Sequence, residues 1–226
     1  MPEPSSNVAH GLSANDRHAL SSTSHGRWLG LVEAFVLASV AIATAWSGYQ
    51  AARWDGISSR AYTLYERYTV LSQEKMTLAG QDRLYDIVTF NGWTAAKVAG
   101  RNDLAAYYQR RFRPEYAVAF SAWSKLNPFH NRKAPAGPIF MQQYKNANAL
   151  EAGRLEAKSM LYFKDGVKSR QQSEDYVRVT VFLATVLFLT ALSQRFEFAG
   201  PRAIIAGIAA ILLLFSLFWI ITLPRA

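Results

Sequence analysis

The chain of 226 residues carries 25 Lys+Arg against 16 Asp+Glu, a formal charge of +9, and contains no cysteine. That excludes a disulfide framework, a Cys-ligated zinc or iron-sulfur site and a cysteine nucleophile. Charged residues make up only 18%, below the usual quarter or so. A mean hydropathy of -0.02 matches an ordinary soluble protein, so the lopsided charge implies an average over two kinds of segment.

Residues 1–26 are rich in Ser, Asn, His and Gly without hydrophobic periodicity and read as a disordered tail. His10, His18 and His25 lie seven and eight apart, but no carboxylate or Cys completes a metal set, so they read as solvated. Trp28 to Trp46 follows, 19 residues with one charge, Glu33. At 1.5 Å per residue it is roughly 27 Å long, close to a bilayer core, and its terminal Trp residues suit the two interfaces. A signal peptide is the alternative, since Ala43-Thr44-Ala45 fits a cleavage site. The long n-region with only Arg17 and Arg27, and the unbroken continuation beyond Trp46, favour an uncleaved span at 28–46. Gly26, Gly30, Ala34 and Ala38 recur every fourth residue on this helix. Such a face lets backbones approach closely in lipid, either between copies of the chain or against its other spans.

Residues 47–175 read as one helical extramembrane domain of about 130 residues with a charge of +7. Ile57, Ala61, Leu64, Tyr68 and Leu71 make a short 4-3-4-3 coiled-coil-like seam that then meets Lys75. Leu104, Tyr108, Phe112, Tyr116, Phe120 and Trp123 form a second stripe, with Pro114 opening a new helix inside it. Residues 127–138 (NPFHNRKAPAGP) are a loop, and a helical pattern resumes near Phe140, with Asp165-Gly166 a candidate interruption.

Two further spans complete the chain, 176–193 and 203–223, joined by a turn at 194–202. The fold class is therefore all-α, three transmembrane helices with the helical domain between the first and second. Basic residues near the membrane number seven on the side of the long loop and four on the other. The positive-inside rule then puts 47–175 in the cytoplasm. Arg178, two residues into the second span, is too far in depth from Glu33 to pair with it and is expected to snorkel. Glu33 matches Arg195 and Arg202 in depth, so an interhelical ion pair is its plain reading and proton or cation handling the functional one.

The runs AIATAWSGYQAARWDG (41–56), FRPEYAVAFSAWSKLNPFHNRKAPAGPIFMQQY (112–144) and SEDYVRVTVFLATVLFLTALSQRF (173–196) resemble segments of a group of uncharacterised bacterial three-span membrane proteins, similar to the DUF4337-type proteins. The resemblance covers about two-thirds of the chain. It implies a multi-pass protein of a bacterial inner membrane with a helical extramembrane region, and carries over no activity and no site.

No P-loop, GxSxG, HExxH or dinucleotide turn occurs. His130 stands in the proline-rich loop as a solvated residue, and Asp82 and Asp86, one turn apart, read as a solvated face. The basic runs containing Arg110, Arg111 and Arg113, and Arg132 and Lys133, read as a solvated face or as a contact for anionic lipid headgroups or a protein partner. Nucleic acid is disfavoured because Phe112 belongs to the apolar stripe. No cofactor is expected. The sequence thus leads to a non-enzymatic scaffold or interaction module in the lipid bilayer, oligomeric or partnered by another membrane protein. A small channel or transport accessory using Glu33 is the alternative, and an enzyme comes third.

Overall fold

In a computed structural model, the backbone is described from residue 14 onward except 197, and side chains at 30–196, 198 and 200–226. Five α-helices are present among these residues: α1 (Ala14–Val98), α2 (Asn102–Gln109), α3 (Pro114–Ser124), α4 (Ala147–Ser193) and α5 (Ala199–Thr222), with a 3-10 turn at Pro138–Phe140. Three of them, α1, α4 and α5, are long and apolar enough to cross a membrane. The side chains of His10, His18, His25 and Gly26 lie outside the described residues, as does the first half of the expected tail; its second half lies in the first turns of α1.

The chain forms two compact units. One comprises Met1–Gly56 and Ser169–Ala226, the other Ile57–Lys168. Residues 47–56 and 169–175, which composition groups with the extramembrane domain, therefore pack in the unit that holds the three apolar segments.

In the first unit, Val40, Ala43, Val179, Leu183, Val186, Ala209 and Leu213 form the core. Phe35, Ile42, Phe188, Ile211, Leu214 and Phe218 point outward, the distribution a lipid-facing bundle requires because hydrocarbon surrounds it. Hydroxyl-to-carbonyl bonds set the register of α1 against α4. Ser47 Oγ donates to the Tyr176 carbonyl at 3.0 Å, and Ser173 Oγ to the Ala51 carbonyl at 2.9 Å. The end of α5 is tied to the same level, since Trp54 Nε1 and the Tyr176 hydroxyl both donate to the Pro224 carbonyl.

In the second unit the same device recurs. Ser58 Oγ donates to the Gly166 carbonyl at 3.0 Å and Ser72 Oγ to the Ala152 carbonyl at 2.9 Å. Ser58, Ala61, Ser72, Ala79, Ala152 and Ser159 are all buried. The seam is thus displaced from the one expected: Ile57 is exposed, while Leu64, Tyr68 and Leu71 are only partly covered. Small residues win the central positions because two helices that exchange hydroxyl-to-backbone bonds must come too close for Ile or Leu between them. Nor does Asp165-Gly166 interrupt α4. A Cβ at Gly166 would lie 3.0 Å from the Tyr62 ring, so this glycine admits a neighbouring aromatic side chain and the helix runs through it.

Beyond the seam, α1 stops in a Schellman arrangement. Gly100 has φ +72°, its N–H donates to the Lys97 carbonyl, and the Arg101 N–H donates to the Ala96 carbonyl. The chain then folds back as α2 and α3 over the last turns of α1. Gly92 permits this, because a Cβ there would sit 2.5 Å from the Tyr108 ring. The predicted aromatic stripe is buried where expected: Phe112, Tyr116, Phe120 and Trp123 pack with Trp93, Ala96 and Ala105, and Leu104 and Tyr108 flank them. Trp93 meets Phe120 edge-on at 4.8 Å, and Trp123 Nε1 fixes the proline-rich loop by donating to the Pro135 carbonyl at 2.7 Å.

Ser72 discriminates the tight seam from an ordinary apolar one. Ser72→Ala is expected to cost about 1 kcal/mol, one lost hydrogen bond, and Ser72→Leu to cost about 1–3 kcal/mol by overpacking. Chemical denaturation followed by circular dichroism measures both. An apolar seam would instead be stabilised by Leu.

Candidate functional site

A polar cluster centres on Asp86, whose side chain is fully buried on the inner face of α1. Its Oδ1 accepts from Arg113 Nε at 3.0 Å, and its Oδ2 from Arg113 Nη2 at 2.8 Å and from the Tyr144 hydroxyl at 3.0 Å. One turn earlier, Asp82 takes Arg113 Nη1 at 3.2 Å and the side-chain amides of Asn146 and Asn148 at 3.3 and 2.9 Å. One guanidinium therefore bridges two carboxylates of α1, with Glu115 a third at 3.6 Å. Such a planar fork suits Arg and not Lys.

Local sequence explains how these groups converge. Arg113 precedes Pro114, which disfavours helical geometry at the residue before it, and Arg113 is extended at φ -61°, ψ 150°. Pro114 then starts α3. Asn146 caps α4, its Oδ1 accepting from the Ala149 N–H at 3.0 Å, while its amide reaches the Ala79 carbonyl and Asp82. The cluster thereby ties α1, the start of α3 and the start of α4 together within one unit.

Asp82 and Asp86 are accordingly not the solvated face expected from their spacing. Arg113, grouped by sequence with the exposed basic residues, is held by them, and its hydrogen bond to Asp86, followed by the charges of Asp86, Asp82 and Glu115, raises its pKa further above its already high value. Burial, followed by the charge of Asp86, raises the pKa of Tyr116; burial and the hydrogen bond to Asp86 raise that of Tyr144. Both phenols stay neutral well into alkaline solution. With its side chain fully buried and both oxygens bonded to protein donors, three bonds in all, Asp86 is arranged to hold structure.

The remaining candidates fall elsewhere. Arg110, Arg111, Arg132 and Lys133 are exposed on the second unit. Arg111 lies over the Tyr107 ring at 5.1 Å, and the Tyr85 hydroxyl donates to the Arg111 carbonyl. His130 is exposed, bonded to Asn127. In the first unit Glu33 accepts twice from Arg202, at 2.6 and 3.2 Å, with the Glu33 side chain only 12% exposed. The expected interhelical pair thus forms, and it forms with Arg202. Arg178 is exposed and pairs with Asp175 at 2.8 Å, away from Glu33. Gly30, Ala34 and Ala38 face outward, and no atom lies within 4 Å of a Cβ built at Gly30. An open groove of about 620 Å³ lies beside the aromatic core, walled by Trp93, Phe112 and Phe120 with Lys97 and Lys125 among its polar lining. Among the described residues no group of three or more His, Asp or Glu is placed to hold a metal.

Fold and site together define an all-α chain with three candidate membrane spans and a helical unit cross-braced by an Asp-Arg-Asp cluster. Comparison with family models, with curated proteins and with solved structures gives no match.

Breaking the cluster on one side should be severe. Asp86→Ala leaves Arg113 without its main partner and is expected to cost about 3–5 kcal/mol, whereas Asp86→Leu combined with Arg113→Met should recover most of that loss. Tyr116 has a buried hydroxyl without a partner, so Tyr116→Phe should be neutral or stabilising. Thermal denaturation of the detergent-solubilised protein reads all three.

Proposed function

We propose that the protein is a multi-pass membrane protein acting as a non-enzymatic scaffold or interaction module. The observation that carries the spanning part is the common levels of the three apolar segments. Glu33 and Arg202 are paired near one end, and Ser47, Tyr176 and Pro224 are bonded to one another's elements near the other. The fourteen residues from Glu33 to Ser47 correspond to roughly 21 Å of helix. With the turns beyond Glu33 added, this approaches the roughly 30 Å of a bilayer core.

Two further observations support a scaffold. The charges most capable of chemistry, Glu33 and Asp86, are both closed in ion pairs with Arg, which favours a structural use of Glu33 over ion handling. The Gly30, Ala34 and Ala38 face is turned outward, which favours contact between copies of the chain over packing on its own spans. Membership of the bacterial three-span family, an inner-membrane location and a cytoplasmic 47–175 region belong to the same proposal. In it, Arg110, Arg111, Arg132 and Lys133 are available to anionic headgroups or an acidic partner.

Amine-reactive or photochemical cross-linking in native membranes tests the proposal. The expected result is a carbonate-resistant membrane protein that cross-links to higher species, with Ala34→Leu plus Ala38→Leu lowering the self-cross-linked fraction severalfold. A strict monomer without any cross-linked partner contradicts it.

A further inference from the structure

A second groove, of about 500 Å³, lies in the first unit between α1 and α4. Its floor is Ala51, Ala52, Ser173 and Val177, and its rim carries Asp55, Arg170, Glu174 and Arg178. Resting on the spanning reading of α1, α4 and α5, we propose that this groove binds a zwitterionic phospholipid with a primary ammonium, phosphatidylethanolamine, its phosphate on Arg178 and its ammonium on Glu174 and Asp55.

Depth is the first argument. The groove lies at and just outside the level where Ser47 meets Tyr176, the loop-side ends of two apolar segments. Trp46, Tyr49 and Trp54 lie within two turns of that level on α1, as interfacial aromatics do. Arg178 is two residues inside this level and Glu174 two residues outside it. Four residues of helix separate them by about 6 Å along the axis, comparable with a headgroup layer roughly 5–7 Å thick.

Charge order is the second. From the hydrocarbon outward the rim presents a cation at Arg178, an anion at Glu174, then Arg170 and Asp55 together. A phospholipid entering from the bilayer presents its phosphate first and its ammonium farther out, in the complementary order. Arg170 takes Oε1 of Glu174 and Oδ1 of Asp55, which leaves the second oxygen of each carboxylate to an ammonium; an anionic lipid would satisfy Arg178 and gain nothing from these two carboxylates. A quaternary ammonium has no N–H to give a carboxylate and calls for an aromatic cage, which the groove lining lacks.

Spare bonding capacity is the third. Arg178 uses Nη1 on Asp175, and Arg170 uses Nη1 on Asp55 and Nε on Glu174. A guanidinium has five N–H donors, so both keep donors free for phosphate oxygens. The four rim side chains are between 50% and 62% exposed, within reach of lipid and not needed to close the core. Val177, one residue inside the level of Tyr176, continues the apolar floor toward the acyl chains.

The test is native mass spectrometry of the full chain released from nanodiscs holding equal phosphatidylethanolamine, phosphatidylcholine and phosphatidylglycerol. The expected result is retained phosphatidylethanolamine in excess of the other two by on the order of fivefold. Arg178→Gln should lower retention of all three, and Glu174→Gln should remove the preference over phosphatidylglycerol while leaving retention intact. Arg154→Gln, on an exposed face of α4 outside the groove, should change neither. Equal retention of the three lipids, a wild-type preference for phosphatidylglycerol, or selectivity that survives both groove variants overturns the assignment. A chain that stays in membranes after carbonate washing but does not discriminate sinks the lipid site alone, whereas one that washes off sinks the spanning reading beneath it.

Discussion

The constraint on which the structure depends is close approach of α1 to α4 through small residues that hydrogen-bond across the gap. In each unit a serine hydroxyl of one helix donates into a backbone carbonyl of the other, at 2.9–3.0 Å. A carbonyl already accepting within its own helix has a second lone pair, so the cross-bond costs the helix nothing. It does fix the axial offset, because a slip of one residue would turn each hydroxyl away from its acceptor. In the unit holding the apolar segments, that offset puts the ends of the segments at shared levels. In the other unit it sets where Asp82 and Asp86 stand relative to Asn146 and Tyr144.

Charge placement follows from that geometry. Asp86 would be untenable alone in a buried position, and Arg113 reaches it from the extended conformation that Pro114 favours in the residue before it. Asp86 therefore gives specificity to the fold-back of α2 and α3 more than net stability, since a buried ion pair repays little beyond its own desolvation. Glu33 with Arg202 does the equivalent for α1 and α5. The two pairs are the charged counterparts of the serine bonds, fixing which segments meet and at what height.

Much of this was legible in the sequence. The lengths of the three apolar runs, the helix start at Pro114, the stripe from Leu104 to Trp123 and the loop at 127–138 all follow from periodicity and from proline. The seam was misplaced because hydrophobicity favours Ile57 and Leu71 over Ser58 and Ser72. Its true signal was a seven-residue recurrence of small residues, Ala152, Ser159, Gly166 and Ser173, matched by Ser58, Ser72 and Ala79. The Asp-Arg cluster was illegible for a different reason. Two carboxylates one turn apart look the same whether they face water or a guanidinium 27 residues on, and Arg113 looked like one more cation in a basic run. Only the proline after it singles it out. The outward direction of Gly30, Ala34 and Ala38 likewise needed the third dimension, since spacing places residues on one face without saying what that face meets.

The chain contains no cysteine, so paired cysteines can test the register of α1 against α4 without background. Ala51→Cys with Ser173→Cys pairs two buried seam residues, the side chain of one hydrogen-bonded to the backbone of the other at 2.9 Å. In membranes under mild oxidation this pair should close an intramolecular bond efficiently, while Ile42→Cys with Ser173→Cys, with Ile42 nine residues before Ala51 and facing outward, should not. Failure of the first pair to close, or equal closure of both, would contradict the small-residue seam and the shared levels that rest on it.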